Sequence, residues 1–177
     1  VVLAAELLAL AAMRCGYDVK QTEVHGVAQR GGAVSSYVRF GERVYSPLAK
    51  GGEVDILVAM EKLEALRYAH LLRSKGLVVA NEHEIEPVRF PGDSRPYPTE
   101  ALEFLRAKGF KVVALPATRE ALELGDHRVA NSILLGALSN FLEIPVETWK
   151  ETFKRRIPPK FLDLNLRAFA LGRDSRG

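Results

Sequence analysis

An α/β fold of three layers, α/β/α, with a mixed and mostly parallel sheet and a helical C-terminal third, is predicted by three observations. Short apolar runs bounded by polar residues recur at 55–60, 77–80 and 112–115, as central strands covered on both faces require. Helical stretches separate these runs, so the connections read as βαβ units with parallel strands and right-handed crossovers. From Thr118 onward the apolar residues keep a helical spacing almost to the end.

The elements follow in order. Residues 1–14 are apolar nearly all round, with Gly16 placed to stop the pattern, so they predict a buried helix. Residues 17–24 read as a strand, and a second strand at 33–40 alternates Val34, Ser36, Val38 and Phe40 with Ser35, Tyr37 and Arg39. Gly41-Glu42 predicts a turn that brings 43–46 back as an antiparallel hairpin, which makes the sheet mixed. Leu63, Leu66, Tyr68, Ala69, Leu71 and Leu72 outline a helix ending near Gly76. Residues 82–98 hold four prolines and several charges and predict an exposed excursion.

The second half repeats the logic. Residues 99–108 form a helix closed by Gly109, and Pro116 ends the strand at 112–115. Ala121, Leu122 and Leu124 mark a short helix, 129–142 a longer one, and 146–154 a third that begins after Pro145. Pro158-Pro159 interrupts the chain before a terminal helix carrying Phe161, Leu162, Leu164, Leu166 and Phe169. Residues 173–177 are expected to fray.

Composition narrows the functional classes. A chain of 177 residues with 47% hydrophobic and 27% charged residues suits one soluble domain with a real core. Glu6, Arg14 and Asp18 break the apolar start well short of the ~20 residues a membrane span needs. It also lacks the basic region and cleavage site of a signal peptide, so a cytoplasmic location is expected. The single cysteine, Cys15, reads as a small core residue at a helix end. His25, His70, His83 and His127 lie far apart, with no Cys-x-x-Cys and no His-x-x-x-His, so no metal or iron–sulfur site is expected in this chain alone. The net charge is +3 and the pI about 9.1. Apart from Lys154-Arg155-Arg156 the basic residues are dispersed, which fits solvated faces or an anionic partner better than nucleic acid.

The densest chemistry lies in residues 23–41. Gly26, Gly31 and Gly32 permit positive φ and close approach to bare backbone, while His25, Gln29 and Arg30 supply donors beside them. The planar Arg30 cation suits a carboxylate or phosphate held by two parallel hydrogen bonds, or a subunit interface. His25 sits near the carboxyl end of a strand, where open α/β sheets place ligands. A plain Gly-Gly turn with a solvated Arg has the same composition. No Gly-x-x-x-x-Gly-Lys-Ser/Thr and no intact Gly-x-Gly-x-x-Gly is present, which argues against a P-loop ATPase and a self-sufficient dinucleotide enzyme.

The stretch Glu23-Val24-His25-Gly26-Val27-Ala28-Gln29-Arg30-Gly31-Gly32 resembles the Glu-x-His-Gly-x-x-Gln-Arg-Gly-Gly signature of gamma-type components of 2-oxoacid:ferredoxin oxidoreductases, most closely the indolepyruvate type. Asn131 to Gly136 resembles the family's Asn-x-x-x-Leu-Gly helix, and Pro159-Lys160 with Asn165, Ala168-Phe169 and Gly172 its C-terminal pattern. Asn131 and Asn165 also suit hydrogen bonds to backbone, and Gly136 a close helix–sheet contact.

The resemblance implies one gamma-type domain over residues 1–177, with the family's first strand and Gly-rich turn missing at the start. It implies a subunit of a thiamine-dependent enzyme that converts a 2-oxoacid and coenzyme A to an acyl-CoA and carbon dioxide, with electrons passing to ferredoxin. The thiamine diphosphate signature, Gly-Asp-Gly followed by Asn-Asn, is absent; Gly92-Asp93-Ser94 only approaches it. Thiamine diphosphate, magnesium and the iron–sulfur clusters are therefore expected in a large partner subunit, and the isolated chain is expected to be inactive and to self-associate. The candidate residues toward coenzyme A, substrate or that partner are His25, Gly26, Gln29, Arg30, Gly31, Gly32 and Asn131. The alternative is a stand-alone α/β domain that binds a small anion through the same loop without redox chemistry.

Overall fold

The computed structural model describes residues 1–25, 34–86 and 96–175. Helix α1 (Val2–Arg14) is rich in alanine and leucine and buries Ala4, Ala5, Leu7, Ala9, Ala11 and Ala12. Gly16, at φ +86°, turns the chain into β1. Strands β1 (Asp18–His25) and β2 (Val34–Gly41) form an antiparallel ribbon in register from Asp18 opposite Gly41 to His25 opposite Val34.

The parallel sheet is separate from that ribbon. It contains β3 (Val54–Ala59), β4 (Leu72–Asn81) and β5 (Lys111–Leu115) in the order β3-β4-β5. The period of two along β4 directs its side chains to opposite faces. Val78 and Ala80 meet Ala65 of α2 (Lys62–Tyr68) and Leu102 and Leu105 of α3 (Ala101–Ala107). Leu77 and Val79 meet Ala121 of α4 (Ala117–Leu124), Ile133 and Leu134 of α5 (Ala130–Ser139) and Ala168 of α7 (Pro159–Asp174). The three layers are therefore present. A further cluster joins α1, the ribbon and α6 (Val146–Arg156) around Trp149, Phe153 and Phe169, with the aromatic ring centroids 5.3–5.6 Å apart.

Several boundaries differ from the sequence reading, each for a local reason. The antiparallel content sits in the β1–β2 ribbon, and residues 43–46 form no strand. The Val44 N–H is taken by the Asp18 carboxylate at 2.8 Å, and Arg39 donates to the Leu48 carbonyl at 2.8 Å, so this segment packs as a loop. Helix α2 ends at Tyr68 and a 3₁₀ turn over Ala69–Leu71 leads into β4 at Leu72, which pairs with Val54. The resulting register shift is absorbed around Lys75, whose φ of +60° places a non-glycine residue in the left-handed region. Cys15 caps α1 on its outer side and is exposed, contrary to the core position expected of it. Arg173 belongs to α7 rather than to a frayed tail, because its guanidinium donates to Ser139 Oγ at 2.7 Å.

Candidate functional site

His25 ends β1 and is fixed by the strand pairing opposite Val34. Its ring is 60% exposed, with Nε2 3.2 Å from the Glu23 carboxylate. The strand that carries it belongs to the ribbon and not to the parallel sheet. Gly26, Gln29, Arg30, Gly31 and Gly32 lie outside the described residues. The structure therefore places one member of the predicted loop, at the tip of the ribbon, and Asn131 in another part of the fold. Asn131 stands in the first turn of α5, its Nδ2 donating to the Arg128 carbonyl at 3.4 Å. Asn165 likewise donates to the Phe161 carbonyl at 2.9 Å while accepting from Ser132 Oγ at 2.6 Å.

A polar cluster that the sequence reading missed occupies the carboxyl end of the parallel sheet, the end at which open α/β folds place ligands. Glu61 follows β3, is 4% exposed, and caps α2: its Oε2 accepts from the Glu64 N–H at 2.8 Å. Its Oε1 accepts from the Tyr97 hydroxyl and from the Ile85 N–H at 3.4 Å. The same Tyr97 oxygen accepts from the Leu63 N–H at 3.1 Å. Burial and the neighbouring Glu61 carboxylate push the Tyr97 phenol far above its usual value. The pair thus clasps the stretch after β4 and the residues before α3 onto the start of α2, aided by Lys62 N–H donating to the His83 carbonyl at 3.0 Å.

Asn81 does the equivalent for the other strands. Buried at the end of β4, it donates to the Met60 carbonyl at 3.1 Å and to Thr118 Oγ1 at 2.7 Å, and accepts from the Thr118 N–H at 3.2 Å. It ties the exits of β3 and β4 to the start of α4. The one sequence signal for this cluster was the polar residue that ends each apolar run, Glu61 after Met60 and Asn81 after Ala80. Nearby, burial raises the Glu120 carboxyl, and Glu82 and Glu123 add to that shift.

Glu61, Tyr97 and Asn81 are committed to internal hydrogen bonds and organise the sheet end, whereas the Glu120 Oε2 is buried without a hydrogen-bond partner among the described residues. Among the described residues no group of three or more His, Cys, Asp and Glu side chains could hold a metal ion. With a single cysteine in the sequence, exposed at the end of α1, this chain's residues do not fit a four-thiolate iron–sulfur cluster. Among the described residues no helix is long and apolar enough to cross a membrane.

The architecture, a parallel α/β/α core with an antiparallel ribbon and a helical C-terminal region, is that of the gamma subunits of keto-acid ferredoxin oxidoreductases. The keto/oxoacid ferredoxin oxidoreductase gamma subunit from Geobacter sulfurreducens superposes with a TM-score of 0.72 at 21% identity, over 98% of this chain and 89% of that one. A 2-oxoglutarate:ferredoxin oxidoreductase from Magnetococcus marinus, solved with 2-oxoglutarate, coenzyme A and succinyl-CoA bound, gives a TM-score of 0.74 at 21% identity, over 98% of this chain and 28% of that one. Residues 1–175 match the family description Pyruvate ferredoxin/flavodoxin oxidoreductase, and this chain belongs to that family. Indolepyruvate oxidoreductase subunit IorB from Thermococcus kodakarensis is 41% identical, over 97% of this chain and 88% of the relative. The 2-oxoglutarate synthase subunit KorC from Methanothermobacter thermautotrophicus is 32% identical, over 98% of this chain and 87% of the relative.

Proposed function

We propose that this chain is the small, gamma-type subunit of a thiamine-dependent 2-oxoacid:ferredoxin oxidoreductase acting on an aryl pyruvate such as indolepyruvate. One comparison within a single organism carries the substrate class. In Thermococcus kodakarensis the indolepyruvate subunit is 41% identical to this chain, whereas the pyruvate/ketoisovalerate common subunit gamma is 28% identical. Residues 1–177 then form one gamma-type domain in the cytoplasm, inactive until assembled.

The overall reaction joins a 2-oxoacid and coenzyme A to give an acyl-CoA and carbon dioxide, with two electrons leaving toward ferredoxin. Thiamine diphosphate, magnesium and the clusters belong to the large subunit in this reading; the single cysteine of this chain supports that for a four-thiolate cluster. The contribution of this chain is positional. His25, at the end of β1, and the sequence that follows it, with Gly26, Gln29, Arg30, Gly31 and Gly32, supply donor groups and a planar cation of the types suited to the phosphates of coenzyme A or a carboxylate. Asn131 holds the entry to α5 through the Arg128 carbonyl. Family membership favours this assignment over a stand-alone anion-binding domain.

Co-expression with a large thiamine- and cluster-containing subunit tests the proposal. A stable complex is expected whose coenzyme A-dependent dye reduction needs both chains and prefers indolepyruvate to 2-oxoglutarate and pyruvate. Absence of a complex overturns the subunit assignment, and preference for another 2-oxoacid overturns the substrate.

A further inference from the structure

Two ion pairs staple α1 to α6: Arg14 with Glu151, and Glu6 with Arg156 at 2.6 Å. Their order along the two helices is reversed, so the helices run antiparallel. Arg14, Lys154 and Arg155 line one open depression together with Glu151. Three cations against one carboxylate leave two positive charges uncompensated there. Among the described residues, neither Lys154 nor Arg155 has a carboxylate at ion-pair distance.

Beside these cations α1 turns an apolar stripe outward. Val2, Leu10 and Met13 are exposed at 37%, 37% and 58%, and Leu10 stands one turn before Arg14. The rest of α1 buries its alanines and Leu7, whereas among the described residues nothing covers Leu10 and Met13. An apolar centre with a charged rim is the composition of a protein docking surface.

We infer that the α1–α6 face docks the large catalytic subunit, which presents carboxylates to Arg14, Lys154 and Arg155 around an apolar ridge covering Leu10 and Met13. The inference rests on the subunit assignment above and adds where the partner sits. Charge selects this occupant. A second copy of the chain on the same face, related by a two-fold axis, would bring these cations against themselves, whereas an acidic partner is steered toward them. Rim cations act mainly on association and its salt dependence, and the apolar centre on dissociation.

The test measures binding kinetics between this chain and the large subunit at 50 mM and 300 mM salt. The double variant Lys154→Glu/Arg155→Glu is expected to slow association at least tenfold at low salt and to flatten the salt dependence. Met13→Asp is expected to speed dissociation at least tenfold. Lys108→Glu, just beyond α3 on the other face of the sheet, serves as the control and leaves both rates unchanged. The altered residues are exposed, and equal melting temperatures establish folding. Variants that bind within twofold of the wild type overturn the docking face alone, whereas a wild-type chain that binds no large subunit overturns the subunit assignment itself. A wild-type chain that dimerises through this face, with the dimer lost in Met13→Asp, overturns the choice of partner.

Discussion

Gly136 and Gly172 face each other reciprocally across the crossing of α5 and α7. A methyl group on Gly136 would lie 2.9 Å from the Arg173 nitrogen and nearer still to the Phe169 carbonyl oxygen; one on Gly172 would lie 2.7 Å from the Ile133 carbonyl carbon and nearer still to its oxygen. Each glycine therefore stands where the other helix's backbone passes, three residues after the carbonyl its counterpart meets. The contact expected of Gly136 is a helix–helix one and not a helix–sheet one. The obstacles are backbone atoms, which cannot rotate away, so Gly136→Ala and Gly172→Ala are each expected to cost at least about 3 kcal/mol. Urea unfolding of the two variants checks this, and a loss under 1 kcal/mol would show that the helices separate easily.

Glu61 and Tyr97 make a second pair with distinct expected effects. Tyr97→Phe leaves the Glu61 carboxylate its bonds to the Glu64 and Ile85 N–H groups but takes the acceptor from the Leu63 N–H, so a cost of about 2 kcal/mol is expected. Glu61→Ala strips the acceptor from three donors at once and should cost about 3 kcal/mol. A spectrophotometric titration should show one tyrosine still protonated after the others have ionised, and that one should vanish in Tyr97→Phe. Because the folded phenol is raised, its stabilising effect is complete below the unfolded value of about 10 and is lost as pH rises beyond it.

Asp126 responds to acid with the opposite sign. Arg128 donates to both its carboxylate oxygens, at 2.6 to 3.0 Å, and the Arg128 N–H adds a bond of 2.9 Å. These bonds hold the carboxyl down at about 2. Its contribution is present above the unfolded value of about 3.9 and is lost as pH falls through about 2. Carbon-detected NMR titration should give a midpoint well below 3.9, and Asp126→Asn should remove that part of the acid dependence. A midpoint at the ordinary aspartate value would sink the assignment.

Arg30→Ala is expected to leave folding and assembly intact and to lower the activity of the reconstituted complex at least tenfold. Arg30→Lys should recover only part of the loss, because a point charge lacks the planar fork. Unchanged turnover with normal assembly would reduce Arg30 to a surface residue.

Much was legible in the residues alone because the signals are local. The strands at 55–60, 77–80 and 112–115 announce themselves as apolar runs, and Pro145, Gly109 and Pro158-Pro159 mark boundaries through their own backbone limits. The family motif at 23–32 is likewise a contiguous string. Three matters were not local. Which edge β2 would pair with depended on Asp18 capturing the Val44 N–H from 26 residues away. The purpose of Gly136 depended on Gly172 arriving from another helix. The roles of Glu61 and Asn81 depended on Tyr97 and Thr118, which come 36 and 37 residues later. Composition and periodicity determined the class of fold, and the contiguous motif at 23–32 that resembles the family's signature pointed to the family. Tertiary structure alone decided which polar groups are spent on one another, because a buried hydrogen bond is chosen by what the packed chain brings within 3 Å, and one sequence position carries no record of that neighbour.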